Sequence, residues 1–197
     1  MNDAFIYDFE TLSQNPIDAA LVSCAKLSFS FDLLRNNGYT YDTLLSRTEY
    51  IKFDVSDQVK NWNRKVDPNT LDWWKKQSKE AIASIKPSDK DVSITRLIPW
   101  LGDNLDKNTK YVFTRNNTFD PVIVTSVSNA TGERVPYDWW KIRDTKSFIF
   151  GLVYDNNIRD DFIPPNCDNY VKHDPRHDIV LDVMRLQTLI YHKFGDE

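Results

Sequence analysis

The chain has 197 residues, of which 41% are hydrophobic and 13% aromatic, and this length allows one domain with a substantial core. Its formal net charge of −4 argues against general, charge-driven binding to nucleic acid. No stretch approaches the run of about 18 apolar residues that a membrane span needs, and the N-terminal segment lacks the features of a signal peptide. We therefore expect a single cytoplasmic domain over residues 1–197, without membrane association.

The two cysteines exclude some classes of site. Cys24 lies in a strand-like segment and Cys167 in a loop-like one, and neither belongs to a CxxC pattern. A disulfide framework or a thiolate zinc site is therefore not expected.

The first part of the chain has the pattern of three strands. Residues 3–10 alternate around aromatic and β-branched side chains, and residues 20–29 and 47–53 have the same character. Because the connections are short, we expect these strands to form an antiparallel meander.

From Ser56 the pattern becomes helical. We predict helices over residues 56–63, 67–82 and 93–105, with Thr70 as a possible N-cap in the second and an interruption near Pro99 in the third. Lysines, arginines and tryptophans are interleaved between residues 60 and 90. This pattern suits single-stranded nucleic acid, where cations hold the backbone and rings stack on bases. The alternative is a solvated helix face with tryptophans in the core.

The second half of the chain alternates strands with helices. The predicted elements are a strand at 111–115, a helix opening at Asp120 and Pro121, an aromatic turn at 136–140, a short strand near 141–144, a helix over 145–154, and a loop over 156–172. Strands followed by this alternation indicate an α/β fold, with a mixed sheet and helices on its faces.

The last helix has the clearest signals. Asp174 and Pro175 suit the N-cap and first helical positions, and Gly195 suits the end. Between them, apolar residues recur at helical spacing and predict an amphipathic helix.

Acidic residues fall into three separate groups that could meet. Asp8 and Glu10 lie two apart on the first strand and therefore face the same side. Asp120 opens a helix, and Asp178 lies in the first turn of the last one. Carboxylates in such apolar segments are costly to bury unless a divalent cation lies among them.

A histidine accompanies the third group. His173 precedes the cap at Asp174, where the helical register is broken, so it can converge with Asp178 on one site. Its ordinary pKa suits removal of a proton from water near neutral pH.

Each group also has a simpler reading. The Asp8 and Glu10 pair can be structural, His173 can be a loop residue, and Asp178 can be a first-turn acid favoured by the helix dipole. His173 and His177 have the spacing of a zinc pair, but Pro175 separates His173 from the helix.

Together the groups resemble a known family. Tyr-Asp-Phe-Glu-Thr at 7–11, Asn-Thr-Phe-Asp at 117–120 and His-x-x-x-x-Asp at 173–178 resemble, in the same order, the three motifs of DEDDh 3′-to-5′ exonucleases. These enzymes are DnaQ-like members of the RNase H-like superfamily. Residues 70–74 and 143–146 resemble a narrower branch that includes the exonuclease A of T-even bacteriophages. The resemblance covers nearly the whole chain.

The resemblance implies a fold and a metal site. The fold would be RNase H-like, with a mixed five-stranded sheet and helices on both faces. Asp8, Glu10, Asp120 and Asp178 would hold two Mg²⁺ or Mn²⁺ ions, and His173 would be the general base. Pro121 and Pro175 depart from the family's usual residues, but both can occupy a first helical position without changing the geometry.

The resemblance also implies a substrate. Glu10, Thr11 and Phe119 would contact the terminal nucleotide, and Trp73 and Trp74 are candidates for stacking on a base, with one of the two expected in the core. The substrate would be a single strand with a free 3′ end, DNA being favoured, released as nucleoside 5′-monophosphates by a monomer or homodimer. A 3′-to-5′ exoribonuclease is the first alternative.

Two further alternatives differ in class. The His-Asp pairs at 173–174 and 177–178 are similar to those of HD-type metal phosphohydrolases, whose fold is all helical. A nucleic-acid-binding protein with a decayed nuclease site is the other, but all four acids and the histidine are present.

Overall fold

The computed structural model describes residues 2–153, 159 and 161–195. A mixed five-stranded sheet organises the chain, in the order β3-β2-β1-β4-β5. The strands are β1 (Ala4–Thr11), β2 (Leu21–Phe29), β3 (Glu49–Lys52), β4 (Tyr111–Thr114) and β5 (Ile142–Asp144). The first three form the predicted antiparallel meander, and β4 and β5 add in parallel beside β1. All five predicted strands are confirmed.

Helices cover both faces of the sheet. The described residues form α1 (Phe31–Arg35), α2 (Tyr41–Leu45), α3 (Val55–Asn61), α4 (Pro68–Trp74), α5 (Lys79–Ser84), α6 (Leu97–Gly102), α7 (Asp120–Thr131), α8 (Thr145–Val153) and α9 (Pro175–Phe194). Helices α1, α2, α8 and α9 contribute to a core on one face, and α6 and α7 to a core on the other. A smaller cluster around Trp74 and Ala81 packs α4 and α5 at the side.

The alternation of β1 sets up the site. Ala4 and Ile6 belong to the core beneath α9, whereas Phe5, Tyr7 and Phe9 belong to the core beneath α7. Because strand side chains alternate between faces, Asp8 continues the row of Ala4 and Ile6 toward α9, and Glu10 follows it. Apolar contacts on both faces thus fix the strand that carries two acids.

Several helix boundaries differ from prediction. The helix expected over 67–82 is two helices, α4 and α5. The Ser78 hydroxyl accepts a hydrogen bond from Ala81 N (3.1 Å), so Ser78 is the N-cap at which α5 begins. Thr70 is not the N-cap of α4; Asp67 is, accepting from Asn69 N at 2.9 Å. Pro99 does not interrupt its helix, because it lies in the first turn of α6, where proline is tolerated.

Other differences concern short or partly described segments. The five-residue helices α1 and α2 were not predicted. The helix over 145–154 is observed as α8 to Val153, and Tyr154 lies outside the described residues. Of the predicted loop over 156–172, the described residues 159 and 161–172 contain neither helix nor strand. Along the described chain, no helix combines the length and the apolar character needed to cross a membrane.

The five strands exclude the HD-type alternative. An HD-type phosphohydrolase would be all helical, whereas a sheet forms the centre of this structure.

The last helix is as predicted: Asp174 caps it, accepting from Arg176 N at 3.1 Å, and Gly195 is its C-cap.

Candidate active site

The acids of the first and third groups meet where β1 passes under the start of α9. One donor atom each from Glu10, His173 and Asp178 can be chosen so that all three lie within 4.8 Å of one another. Asp8 lines the same cleft, which has a volume of about 420 Å³. The site therefore joins residues that are more than 160 positions apart in the sequence.

Asp178 is held in place through its carboxylate. Tyr170 donates its hydroxyl to Oδ1 at 2.6 Å, and the backbone N–H of His173 donates to Oδ2 at 3.0 Å. Each oxygen thus has one donor and keeps a lone pair for another ligand.

His173 has a backbone conformation that few residues adopt. Its φ of 64° lies in the left-handed region, which is uncommon for a residue other than glycine. This turn lets the N–H of His173 reach Asp178 while the ring lies edge-on to Trp73, with 4.7 Å between ring centroids. A donor atom of the imidazole and one of the carboxylate therefore lie within 4.8 Å of each other.

Asp120 approaches from β4 and α7. It is the first residue of α7 and only 3% exposed, and nearby backbone groups of Phe9, Asn116 and its own residue offset part of the rise in its pKa that burial causes. It lies close enough to Asp8 that its charge is the second-largest cause of the raised pKa of that group. The second acidic group thus meets the first from the side opposite α9.

The electrostatics of the cluster are unfavourable without a cation. Burial, and then the neighbouring carboxylates, raise the pKa of Asp8 and of Glu10 well above their ordinary values. Burial is also the largest cause that raises the pKa of Asp120 and of Asp178 to about 7. Oxygen donors that repel one another in this way suit divalent cations such as Mg²⁺ or Mn²⁺, so the residues present fit such ions.

The environment of His173 keeps it neutral. Burial lowers the pKa of its imidazole, and the positive charge of the neighbouring Lys172 lowers it further. A neutral imidazole beside the acids can accept a proton at pH 7.

The two tryptophans differ in exposure. Trp74 is 3% exposed, and its Nε1 donates to the carbonyl of Thr11 at 3.0 Å. The assignment of Trp74 to the substrate is therefore wrong, since its ring is part of the core. Trp73 is 41% exposed and packs edge-on against both Trp74 and His173.

The other two residues predicted to contact the substrate are less exposed than Trp73. Thr11 is 9% exposed, and its hydroxyl donates to the carbonyl of Ser13 at 2.8 Å. Phe119 is half-buried at the N-cap of α7, against the core on that side. Both lie beside the acids, and their role toward a nucleotide stays a prediction.

His177 does not join the cluster. Its Nδ1 accepts from the Tyr41 hydroxyl at 2.5 Å, and among the described residues the group of close donor atoms includes His173 but not His177. The zinc pair of His173 and His177 is therefore not formed.

Two observations concern residues outside the cluster. The carboxylate of Asp144 accepts from Ser147 N (2.6 Å) at the start of α8 and from Asn117 N (3.3 Å). The basic segment between residues 60 and 90 is only partly a surface, because Arg64 is 4% exposed and donates to the Ile17 carbonyl.

Sequence reasoning missed several residues of the cleft. Arg115, Tyr170, Asp182 and Arg185 line it beside the acids. Asp182 is 2% exposed and pairs with both arginines. A spacing of four residues from Asp178 was the only available signal for Asp182, and it is no different from the spacing of ordinary helix neighbours.

Known proteins resemble this chain in sequence and structure. The model of the 3′-5′ exoribonuclease Rv2179c-like domain matches residues 3–178. An exodeoxyribonuclease of Enterobacteria phage T4 is 30% identical over 212 residues, covering 98% of this chain and 91% of the phage protein.

Solved structures agree on the fold. The zinc-bound form of E. coli exonuclease I with single-stranded DNA superposes with a TM-score of 0.59 at 12% identity, over 96% of this chain and 40% of the other. The same exonuclease with a dT13 oligonucleotide gives a TM-score of 0.55 at 14% identity, over 94% and 38%. This chain thus spans about two fifths of that protein, and the DnaQ-like, RNase H-like fold is confirmed.

The buried acids predict how stability depends on pH. In metal-free protein the folded state keeps protons on these carboxyls that the unfolded chain releases above about pH 4. Stability is therefore lost as pH rises from about 4 through neutrality. We expect Asp8→Asn to raise the melting temperature at pH 8 in EDTA by roughly 2–4 °C, which corresponds to about 1 kcal/mol for a chain of this size.

Scanning calorimetry at pH 5 and pH 8, with EDTA or Mn²⁺, measures this effect. Asp72→Asn is the control, because Asp72 is exposed and its ion pair among the described residues is with Lys75, itself exposed, and it should change nothing. Mn²⁺ should stabilise the wild type more than Asp8→Asn. A lower melting temperature for Asp8→Asn at pH 8 in EDTA would contradict the cost assigned to the cluster.

Proposed function

The chain belongs to the DEDDh 3′-to-5′ exonucleases, in the family of the 3′-5′ exoribonuclease Rv2179c-like domain, and from this we propose that it removes nucleoside 5′-monophosphates from the 3′ end of single-stranded DNA. The observation that carries the proposal is the convergence of Asp8, Glu10 and Asp178 with His173 in one open cleft. One domain, residues 1–197, performs the reaction.

Four acids hold the metal in this proposal. Asp8, Glu10, Asp120 and Asp178 would bind two Mg²⁺ or Mn²⁺ ions, and the repulsion among their buried and half-buried carboxylates supports that role. Bound there, the ions supply positive charge that activates water and stabilises the attacking and leaving oxygens of an in-line displacement.

His173 acts as the general base. Its neutral imidazole takes the proton from the attacking water. The hydrogen bond from the backbone N–H of His173 to Asp178 fixes the distance of His173 from the metal ligands. The left-handed turn keeps the ring on the cleft side of the chain.

Trp73 positions the last base. Its half-exposed ring packs edge-on against the ring of His173, and the buried Trp74 contacts it edge-on with 5.1 Å between ring centroids. A ring held in this way can stack on any base, as a nuclease without sequence preference needs.

We favour DNA over RNA as the substrate because this chain matches the T4 protein named exodeoxyribonuclease over almost its full length. RNA is the second candidate, because the matching family model is described as an exoribonuclease domain. The two substrates differ by one hydroxyl group on each sugar.

The first prediction tests the activity. With Mg²⁺ or Mn²⁺, a 5′-labelled single strand should give a ladder that shortens from its 3′ end, and EDTA should abolish it. Asp8→Ala should retain less than about 1% of the rate, because a metal ligand is lost. Matched DNA and RNA strands should show faster digestion of DNA. The absence of a ladder on either strand would remove the proposal, and faster digestion of RNA would reverse the choice of substrate.

The second prediction concerns His173. Because its pKa is lowered from 6.5, kcat/KM at saturating metal should rise with pH along a limb below pH 6.5 and then level off. His173→Asn should lower kcat by roughly 100-fold or more and remove this limb. Asparagine tolerates the left-handed backbone, so the variant should keep its fold and its stabilisation by Mn²⁺. Loss of that stabilisation would make His173 a metal ligand instead.

The third prediction concerns Trp73. Trp73→Ala should raise KM for a single strand about tenfold, because base stacking on an aromatic ring is worth roughly 1–3 kcal/mol, and Trp73→Phe should restore most of it. Trp139→Ala removes an even more exposed ring, 78% accessible, which contacts the ring of Trp140, and should change nothing. Equal KM values for Trp73→Ala and the wild type would exclude the stacking role.

A further inference from the structure

The cleft has positive charge that the metal site does not use. Of the described residues that line it, Arg115, Lys172 and Arg185 are cations. Arg115 and Arg185 both donate an Nη1 hydrogen bond to Oδ1 of Asp182, the second at 2.7 Å. Two guanidinium groups on one carboxylate give this cluster, Arg115–Asp182–Arg185, a net charge of +1 when Asp182 is ionised.

That charge reaches the cleft through Arg115. The Arg185 side chain is 7% exposed, and its other nitrogens donate to the carbonyls of Phe162 (2.8 Å) and Asp161 (3.1 Å). Arg115 is 31% exposed, and within the described part of the chain only its Nη1 makes a hydrogen bond. Its Nε and Nη2 remain available to a ligand in the cleft.

The position of Arg115 relates to the metal site. Asp182 follows Asp178 by one turn of α9, about 6 Å along the helix axis. Arg115 is therefore next to the site of hydrolysis without being among the metal ligands. Five of the twelve described side chains that line the cleft are acidic, and these would repel a strand of phosphates.

We propose that Arg115 binds the phosphate of the linkage next to the scissile one, on its 5′ side, and that Asp182, held by Arg185, positions the guanidinium for this contact. The inference rests on the proposed exonuclease function. A planar guanidinium with free donors matches a phosphate with two parallel hydrogen bonds. Its anchoring to a buried carboxylate lowers the entropy cost of fixing a long side chain.

A substrate change isolates this contact. Two short thymidine strands are compared, one with natural linkages and one with a neutral methylphosphonate at the second linkage from the 3′ end. The wild type should cleave the terminal linkage of the modified strand about tenfold less efficiently, since a charged hydrogen bond is lost. Arg115→Gln should cleave the natural strand about tenfold less efficiently and show no further loss on the modified one. Asp182→Asn should lose most of the discrimination, although Arg115 is present.

Controls separate this role from a structural one. Arg47→Gln removes another exposed arginine, which donates to the Ser28 carbonyl at 3.0 Å, and should keep the wild-type discrimination. If Arg115→Gln merely damaged the fold, it would cleave both strands more slowly and still discriminate between them, which overturns the proposal. Equal cleavage of both strands by the wild type overturns it as well, while the exonuclease function stands. No cleavage of either strand by the wild type refutes that function.

Discussion

Repulsion among buried and half-buried carboxylates is the constraint around which this structure is organised. The four acids Asp8, Glu10, Asp120 and Asp178 come from three parts of the chain. Burial raises the pKa of each of them, and the charges of the other acids raise the pKa of Asp8 and of Glu10 further. Such a cluster costs folding free energy. The apolar cores on the two faces of the sheet offset that cost and hold the acids together before any cation arrives.

This arrangement resembles a preorganised binding site. The surroundings of Asp178 show how it is done: Tyr170 and the N–H of His173 fix its two oxygens, and the left-handed backbone of His173 makes the second bond possible. An unusual backbone conformation persists only where its surroundings determine it. The cap at Asp174 and Pro175 supplies that determination, because it starts α9 at one defined residue.

Local patterns predicted most of the fold and the acids of the site. Strand alternation placed Asp8 and Glu10 on one face, and the capping signals at Asp174 and Pro175 located the start of α9. Helices α1 and α2, at five residues each, are too short for a periodic signal. The links from Arg115 to Asp182 and from Tyr170 to Asp178 depend on tertiary contacts, and no sequence spacing indicates them. For the adjacent Trp73 and Trp74, the sequence predicts one ring in the core and one at the surface. Only the structure shows that Trp74 is the buried one.

The two halves of the cluster lie at opposite ends of the sequence, Asp8 and Glu10 on β1 and Asp178 on α9. During synthesis the ribosome therefore releases the first half long before the second exists, and a partly made chain has acids without their partner helix. Only when α9 docks on β1 and β2 is the site complete. His173 and Asp178 can therefore not reach Glu10 before α9 has been synthesised, and until then the donor atoms of the site stay apart.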